Sequence, residues 1–98
     1  MSLEVRWTSQ ADKKFDRIIE YLSREWGEKS THKFAKRVFE VLDILAEFPE
    51  MGSLENKEKF IRGFTIVKQV NVFYKVDEDI LIVLDFFDNR RDPDKKRF

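Results

Sequence analysis

Lys59-Phe60-Ile61-Arg62-Gly63-Phe64, the run from Ile66 to Tyr74, the run from Ile80 to Phe87 and the ending Asp88-Asn89-Arg90-Arg91-Asp92-Pro93 form the stretch whose reading decides the fold. Its three apolar-rich segments have the length and residue types of strands, and they predict strands over 59–64, 66–76 and 79–87. Asp77-Glu78-Asp79 separates the second from the third, which predicts a tight hairpin and an antiparallel pair. Gly63-Phe64-Thr65 predicts a turn or bulge joining the first strand to the second. Along the second strand Ile66, Lys68, Val70, Val72 and Tyr74 share one face, and Val67, Gln69, Asn71, Phe73 and Lys75 the other. The third strand is apolar on both faces, with Asp85 the one exception, and that pattern belongs to a central strand.

Upstream of this meander, Leu3, Val5 and Trp7 alternate with Glu4, Arg6 and Thr8, the period of a half-buried strand over 3–8. Ser9 is the expected N-cap of a first helix, with Asp12 at capping-box spacing. Ala11, Phe15, Ile18, Ile19, Leu22 and Trp26 fall on one face of that helix, over 9–26, and Gly27 stands where a helix ends. A second helix over 29–48 carries Phe34, Ala35, Val38, Phe39, Leu42, Leu45 and Phe48 on one stripe, widened by Val41 and Ile44, and Pro49 stops it. With so short a link the two helices form a hairpin. Residues 49–59 mix Pro, Gly, Ser and Asn with charges and predict a mobile loop. The fold class is therefore α+β: a strand, a helix hairpin, and a three-stranded antiparallel meander followed by a basic tail over 89–98. The helices cover one sheet face, because their apolar stripes need a partner, and the other face stays partly open with some exposed aromatics.

Ninety-eight residues make a single domain, 1–98, and a composition that is 42% hydrophobic with 10 phenylalanines supplies a core. The absence of cysteine excludes disulfides and thiolate metal sites and predicts a reducing, cytoplasmic setting. The longest apolar run, Ile80 to Leu84, is far short of the roughly 20 residues that span a membrane, and no signal-peptide layout precedes it. Bases and acids number 19 each, and a net charge of zero argues against direct tight nucleic-acid binding. Charge is nevertheless segregated: residues 76–88 carry five acids and no base, and residues 89–98 five bases against two acids.

The residues able to do chemistry are few. Arg62 offers a guanidinium fork on a strand, suited to phosphate or carboxylate, although an ordinary exposed strand arginine looks the same in sequence. Tyr74 carries a hydroxyl that can give or take a proton, or simply pack its ring. Lys68 shares the predicted face of Tyr74 and adds positive charge, or keeps an edge soluble. Arg90 and Arg91 follow the central strand and point different ways, so one of them faces any site nearby. His32, the only histidine, is a solvent-facing helix residue with no carboxylates at metal-ligand spacing, and neither a metal nor a cofactor is expected. No phosphate-cradling glycine loop and no serine or cysteine nucleophile arrangement is present.

Trp7-Thr8-Ser9-Gln10-Ala11, Ile18-Ile19-Glu20-Tyr21-Leu22, the leucines and Pro49 to Gly52 after Leu42, Ile61-Arg62-Gly63, Val72-Phe73-Tyr74-Lys75-Val76 and Phe86-Phe87-Asp88-Asn89-Arg90-Arg91-Asp92-Pro93 follow in an order and spacing that resembles the RelE/ParE toxin superfamily of type II toxin–antitoxin systems, the plasmid-stabilisation group. The resemblance covers nearly the whole chain and lies nearer the ParE side, through the long helix hairpin and the arginine–Asp–Pro ending. It implies a growth-inhibiting toxin neutralised by a cognate antitoxin that wraps the hairpin and sheet. ParE-like members poison DNA gyrase without being nucleases; RelE-like members cut messenger RNA in the ribosome. In the nuclease reading Arg62, Lys68, Tyr74 and Arg90 would be catalytic. In the binding reading Arg62, Tyr74, Arg90 and Arg91 face the target. Phe86, Phe87 and Asp88 stand where family nucleases often place histidine or tyrosine, so the proton-transfer groups are missing there. A module whose sole activity is to pair with its antitoxin is the third reading.

Overall fold

The computed structural model describes residues 2–89; the expected basic tail, with Arg90 and Arg91, lies outside the described residues apart from Asn89. Strand β1 (Glu4–Trp7) leads into α1 (Ser9–Trp26) and α2 (Glu28–Glu47), a 3-10 turn (Pro49–Met51), and strands β2 (Ser53–Asn56), β3 (Ile61–Val67), β4 (Val70–Asp77) and β5 (Ile80–Asp88). They form one mixed sheet in the order β1-β5-β4-β3-β2. The first strand runs parallel to β5, with Glu4 opposite Ile80 and Trp7 opposite Val83, and the other neighbours are antiparallel. As its two-faced apolar pattern requires, β5 lies between two partners.

The first helix starts on Thr8 rather than Ser9. Thr8 is extended, and its Oγ1 accepts the Ala11 N–H at 3.1 Å, so the capping role falls one residue earlier and the Ser9–Asp12 box does not form. The same hydroxyl also lies 3.0 Å from the Leu84 carbonyl oxygen, joining the helix start to β5. Gly27 alone links the helices. Its φ of 88° lies in the region glycine enters without a side-chain clash, and its N–H closes α1 on the Leu22 carbonyl at 3.1 Å.

The core lies between the hairpin and one sheet face. Ala11, Ile18, Phe34, Val38 and Leu45 from the helices meet Val72, Tyr74, Leu81, Val83 and Phe86 from β4 and β5. Trp7 completes an aromatic group there, 5.1 Å from Phe86 and 5.2 Å edge-on from Phe15 between ring centroids. On the far face Ile61, Phe73 and Phe87 form a smaller cluster with Leu84. That face is therefore not open at its centre: three neighbouring strands bring apolar side chains together, and Phe73 and Phe87 are buried.

Three further expectations are corrected. Gly63-Phe64-Thr65 is strand interior, and the β3–β4 turn falls at Lys68-Gln69, with a bulge between Thr65 and Val67. Lys68 is thus a turn residue and shares no strand face with Tyr74. Gly63 is small for a different reason: a Cβ there would lie 3.0 Å from the Phe73 ring and 3.1 Å from Glu55. The segment 49–59 is no featureless loop, for it holds the 3-10 turn and the edge strand β2. Finally, Trp26, Phe39 and Phe48 are each more than half exposed and Ile44 is 40% exposed, so the helix stripes are narrower than the pattern predicts.

A second bulge re-aims Asp85. Phe73 pairs with Asp85 and Tyr74 with Val83, leaving Leu84 as the extra residue. Asp85 then turns to α1, where its carboxylate accepts from Lys14 Nζ at 3.4 Å and Gln10 Nε2 at 3.5 Å, and from the Phe86 N–H at 2.9 Å. The polar exception in an apolar strand is the tie between helix and sheet.

Candidate functional site

Arg62 and Tyr74 are cross-strand partners on β3 and β4. Paired residues of an antiparallel ladder share a face, so both side chains reach the chain segment that follows α2. Tyr74 is fully buried. Its hydroxyl donates to the Pro49 carbonyl at 2.6 Å and accepts the Gly52 N–H at 3.0 Å. Arg62 Nη1 donates to the Gly52 carbonyl at 2.7 Å and, more weakly, to the Glu50 carbonyl at 3.4 Å. Two side chains thereby satisfy the polar backbone of a turn that has few bonds of its own.

Gly52 is required by this closeness rather than by its backbone, which is extended at φ −71° and ψ 150°. A Cβ at residue 52 would collide with the Tyr74 hydroxyl and lie 2.9 Å from the Gly63 carbonyl oxygen. The clamp displays Phe48 and Met51 on the surface, 56% and 52% exposed, flanked by Glu47 and Glu50 around a depression of about 490 Å³.

Burial pushes the Tyr74 hydroxyl up from its ordinary value, and the Gly52 N–H and the Arg62 charge offset this in part. It stays a phenol near neutrality, with its proton and one lone pair already engaged. Lys68 lies on the turn beyond Val70, which is itself four strand positions or ~13 Å along β4 from Tyr74. The sequence-selected trio therefore separates: Arg62 and Tyr74 converge, on a backbone segment, and Lys68 does not join them. Arg90 and Arg91 fall outside the described residues.

A separate concavity lies elsewhere, and sequence reasoning missed it. A groove of about 590 Å³ runs between the end of α1, the outer side of α2 and the β3–β4 turn. Ile18, Leu22, Phe34, Val67 and Val70 form its floor, and Trp26, 63% exposed, stands at its mouth. Lys33, Lys36 and Arg37 line the rim against one acid, Glu40. Arg37 also donates from Nε to the Ile66 carbonyl at 3.1 Å, which ties α2 to β3 and holds the rim still. The surface tryptophan was the available signal, hidden because its spacing also fits the apolar stripe of α1. An apolar floor with a cationic rim is chemically suited to an amphipathic segment whose edges carry acids. Among the described residues no group of three His, Asp or Glu side chains is placed to hold a metal ion, and no helix is long and apolar enough to cross a membrane.

Comparison with known proteins adds a family. The model of the ParE toxin of the parDE type II toxin–antitoxin system matches residues 5–93. No curated protein matches in sequence. Among solved structures, the chromosomal ParDE toxin–antitoxin system from P. aeruginosa superposes with a TM-score of 0.75 at 15% identity, covering 89% of this chain and 96% of that one. The RelBE2 toxin–antitoxin complex from Mycobacterium tuberculosis gives a TM-score of 0.62 at 13% identity, covering 90% and 99%. The E. coli DinJ–YafQ toxin–antitoxin complex gives 0.61 at 9% identity, covering 93% and 97%. At these identities the likeness is one of fold.

Proposed function

We infer that this chain, which belongs to the ParE toxin family of type II toxin–antitoxin systems, inhibits growth by binding a cellular target, DNA gyrase, and is silenced by a cognate antitoxin. The observation that carries binding over catalysis is the clamp. RNA cleavage by the 2′-hydroxyl needs an acceptor for that proton, a donor for the leaving oxygen and cations for the transition state. The Tyr74 hydroxyl is buried and bonded on both sides by backbone, and the Arg62 guanidinium spends its shortest bond on Gly52. Using either on RNA would first require releasing the 49–52 segment. Their role is positional: they hold out Phe48 and Met51, which face the target, while Arg90 and Arg91, outside the described residues, are assigned to the target by the family resemblance.

The antitoxin takes the groove beside Trp26. Its chemistry calls for a segment with apolar side chains inward and acids against Lys33 and Lys36.

Purified protein added to gyrase, relaxed plasmid and ATP tests the reading. Supercoiling should fall with dose. Phe48→Ser/Met51→Ser and Arg90→Ala/Arg91→Ala should each weaken inhibition by roughly tenfold or more while binding to the antitoxin is kept. Leu22→Glu in the groove should do the reverse. Unimpaired supercoiling at saturating, folded protein removes gyrase as the target.

A further inference from the structure

The outward face of α2 carries a charge pattern of which the groove rim and the clamp use only separate parts, and whose order along the helix neither explains. Lys29, Lys33, Lys36, Glu40, Asp43 and Glu47 are spaced four and three residues apart in alternation, and all six are exposed. At ~100° per residue they lie within an arc of about 80°, a single stripe along the helix. The three bases occupy its first half and the three acids its second.

Within one chain this order is unfavourable. Lys29–Lys33, Lys33–Lys36, Glu40–Asp43 and Asp43–Glu47 are like-charge neighbours at helical contact spacing. Lys36 before Glu40 is the only opposite pair along the stripe, in the weaker of the two orientations. The last turn carries an acid and no base, against the helix dipole. None of the six forms an ion pair with another described residue.

The stripe is also symmetric about Val38. Lys36 and Glu40 stand two residues to either side of it, Lys33 and Asp43 five, and Lys29 and Glu47 nine. A helix so marked is complementary to itself turned end for end. When two copies of α2 lie antiparallel about a two-fold axis that passes between them level with Val38, each base of one comes opposite the matching acid of the other, and the dipoles oppose. Phe39 and Ile44, both exposed, flank the stripe on its two sides and supply apolar contact.

We propose that the exposed face of α2 is a self-association surface, on which a second copy of this chain docks antiparallel through Lys29–Glu47, Lys33–Asp43 and Lys36–Glu40 pairs formed twice over. Exposed pairs are individually weak and screened by salt, so the dimer is a reversible one of low ionic strength. The proposal does not depend on the toxin reading. Lys33, Lys36 and Glu40 also rim the groove, so the test uses the chain without any antitoxin.

Sedimentation velocity over a concentration series measures it. The wild-type chain should show a monomer–dimer equilibrium at about 0.02 M salt that dissociates at about 0.5 M. Lys33→Glu should weaken the dimer by roughly tenfold or more, since the two-fold repeats the repulsion. Lys33→Glu/Asp43→Lys swaps the signs of a matched pair and should restore it. Lys33→Glu/Glu47→Lys, with the same net charge, leaves both pairs mismatched and should not. Lysine and glutamate both suit exposed helix positions, and far-UV circular dichroism checks that each variant is folded. A wild-type chain that stays monomeric up to about 0.5 mM at low salt, or two double variants that behave alike, overturns the proposal.

Discussion

Tyr74→Phe removes one oxygen atom and nothing else from the ring that anchors the turn. The ring keeps its place in the core, so the substitution isolates the two hydroxyl bonds, to the Pro49 carbonyl at 2.6 Å and from the Gly52 N–H at 3.0 Å. Leaving a buried donor or acceptor without a partner costs about 1–3 kcal/mol per group. Gly52 is buried, whereas Pro49 is half-exposed and its carbonyl regains water in part. A total of about 2–3 kcal/mol follows, near the middle of that range for the amide and its lower end for the carbonyl. For a domain of this size it corresponds to a fall in Tm of roughly 10–20 °C. Urea unfolding followed by tryptophan fluorescence measures it, and the midpoint should drop with an unchanged slope. Gly52→Ala should also destabilise, and because its Cβ collides with the same hydroxyl, the double variant should lose at least about 0.5 kcal/mol less than the two singles combined. A loss below about 0.5 kcal/mol for Tyr74→Phe, or strict additivity with Gly52→Ala, would refute the clamp.

Further outcomes follow from the same geometry. The Tyr74 hydroxyl is raised in the folded chain, so its contribution is fully present below the unfolded value near 10 and is lost as pH rises through the folded value. The wild-type chain should therefore lose more stability than Tyr74→Phe as pH rises above about 10, read as urea midpoints on either side of that value. Asp85→Ala leaves Lys14 without its carboxylate and the start of α1 without its tie, and should cost about 1–3 kcal/mol; Asp85→Asn should recover part of this through the Phe86 N–H. Thr8→Ala loses the cap on Ala11 and the contact to β5, with an expected loss of about 1–2 kcal/mol, whereas Ser9→Ala should be close to neutral. Glu78 holds φ at 55° in the β4–β5 turn, so Glu78→Gly should change stability by under about 1 kcal/mol and in the favourable direction, measured by thermal unfolding.

The parts of the fold legible in sequence were those with a local cause. Pro49 ends α2, Gly27 turns the hairpin, and Asp77 to Asp79 turns β4 into β5, because each acts on the backbone where it stands. Less legible were features set by distant neighbours. The edge strand β2 is Ser-Leu-Glu-Asn, short and mostly polar, and it is a strand because β3 offers it hydrogen bonds. Gly63 carries the same letter as a turn glycine, yet it serves close packing against Phe73, and the true turn at Lys68-Gln69 has no turn-forming residue to announce it. Ile44 and Phe48 have core spacing yet stay exposed, and Phe39 is only partly covered, by Trp7 and Phe15. At the site, Arg62 and Tyr74 were each recognisable as candidates on neighbouring strands. Their partners were not, since those are backbone groups of residues 49–52, and main-chain atoms leave no mark in an amino-acid pattern.

Expression of this chain alone in a bacterium, with labelled thymidine and methionine incorporation followed over the first minutes, tests the central claim most directly. A toxin that binds gyrase lowers thymidine incorporation first, with methionine following later, and co-expression of the antitoxin abolishes both effects. Methionine incorporation falling first, or growth and both rates unchanged in cells that hold the folded chain, would contradict the account.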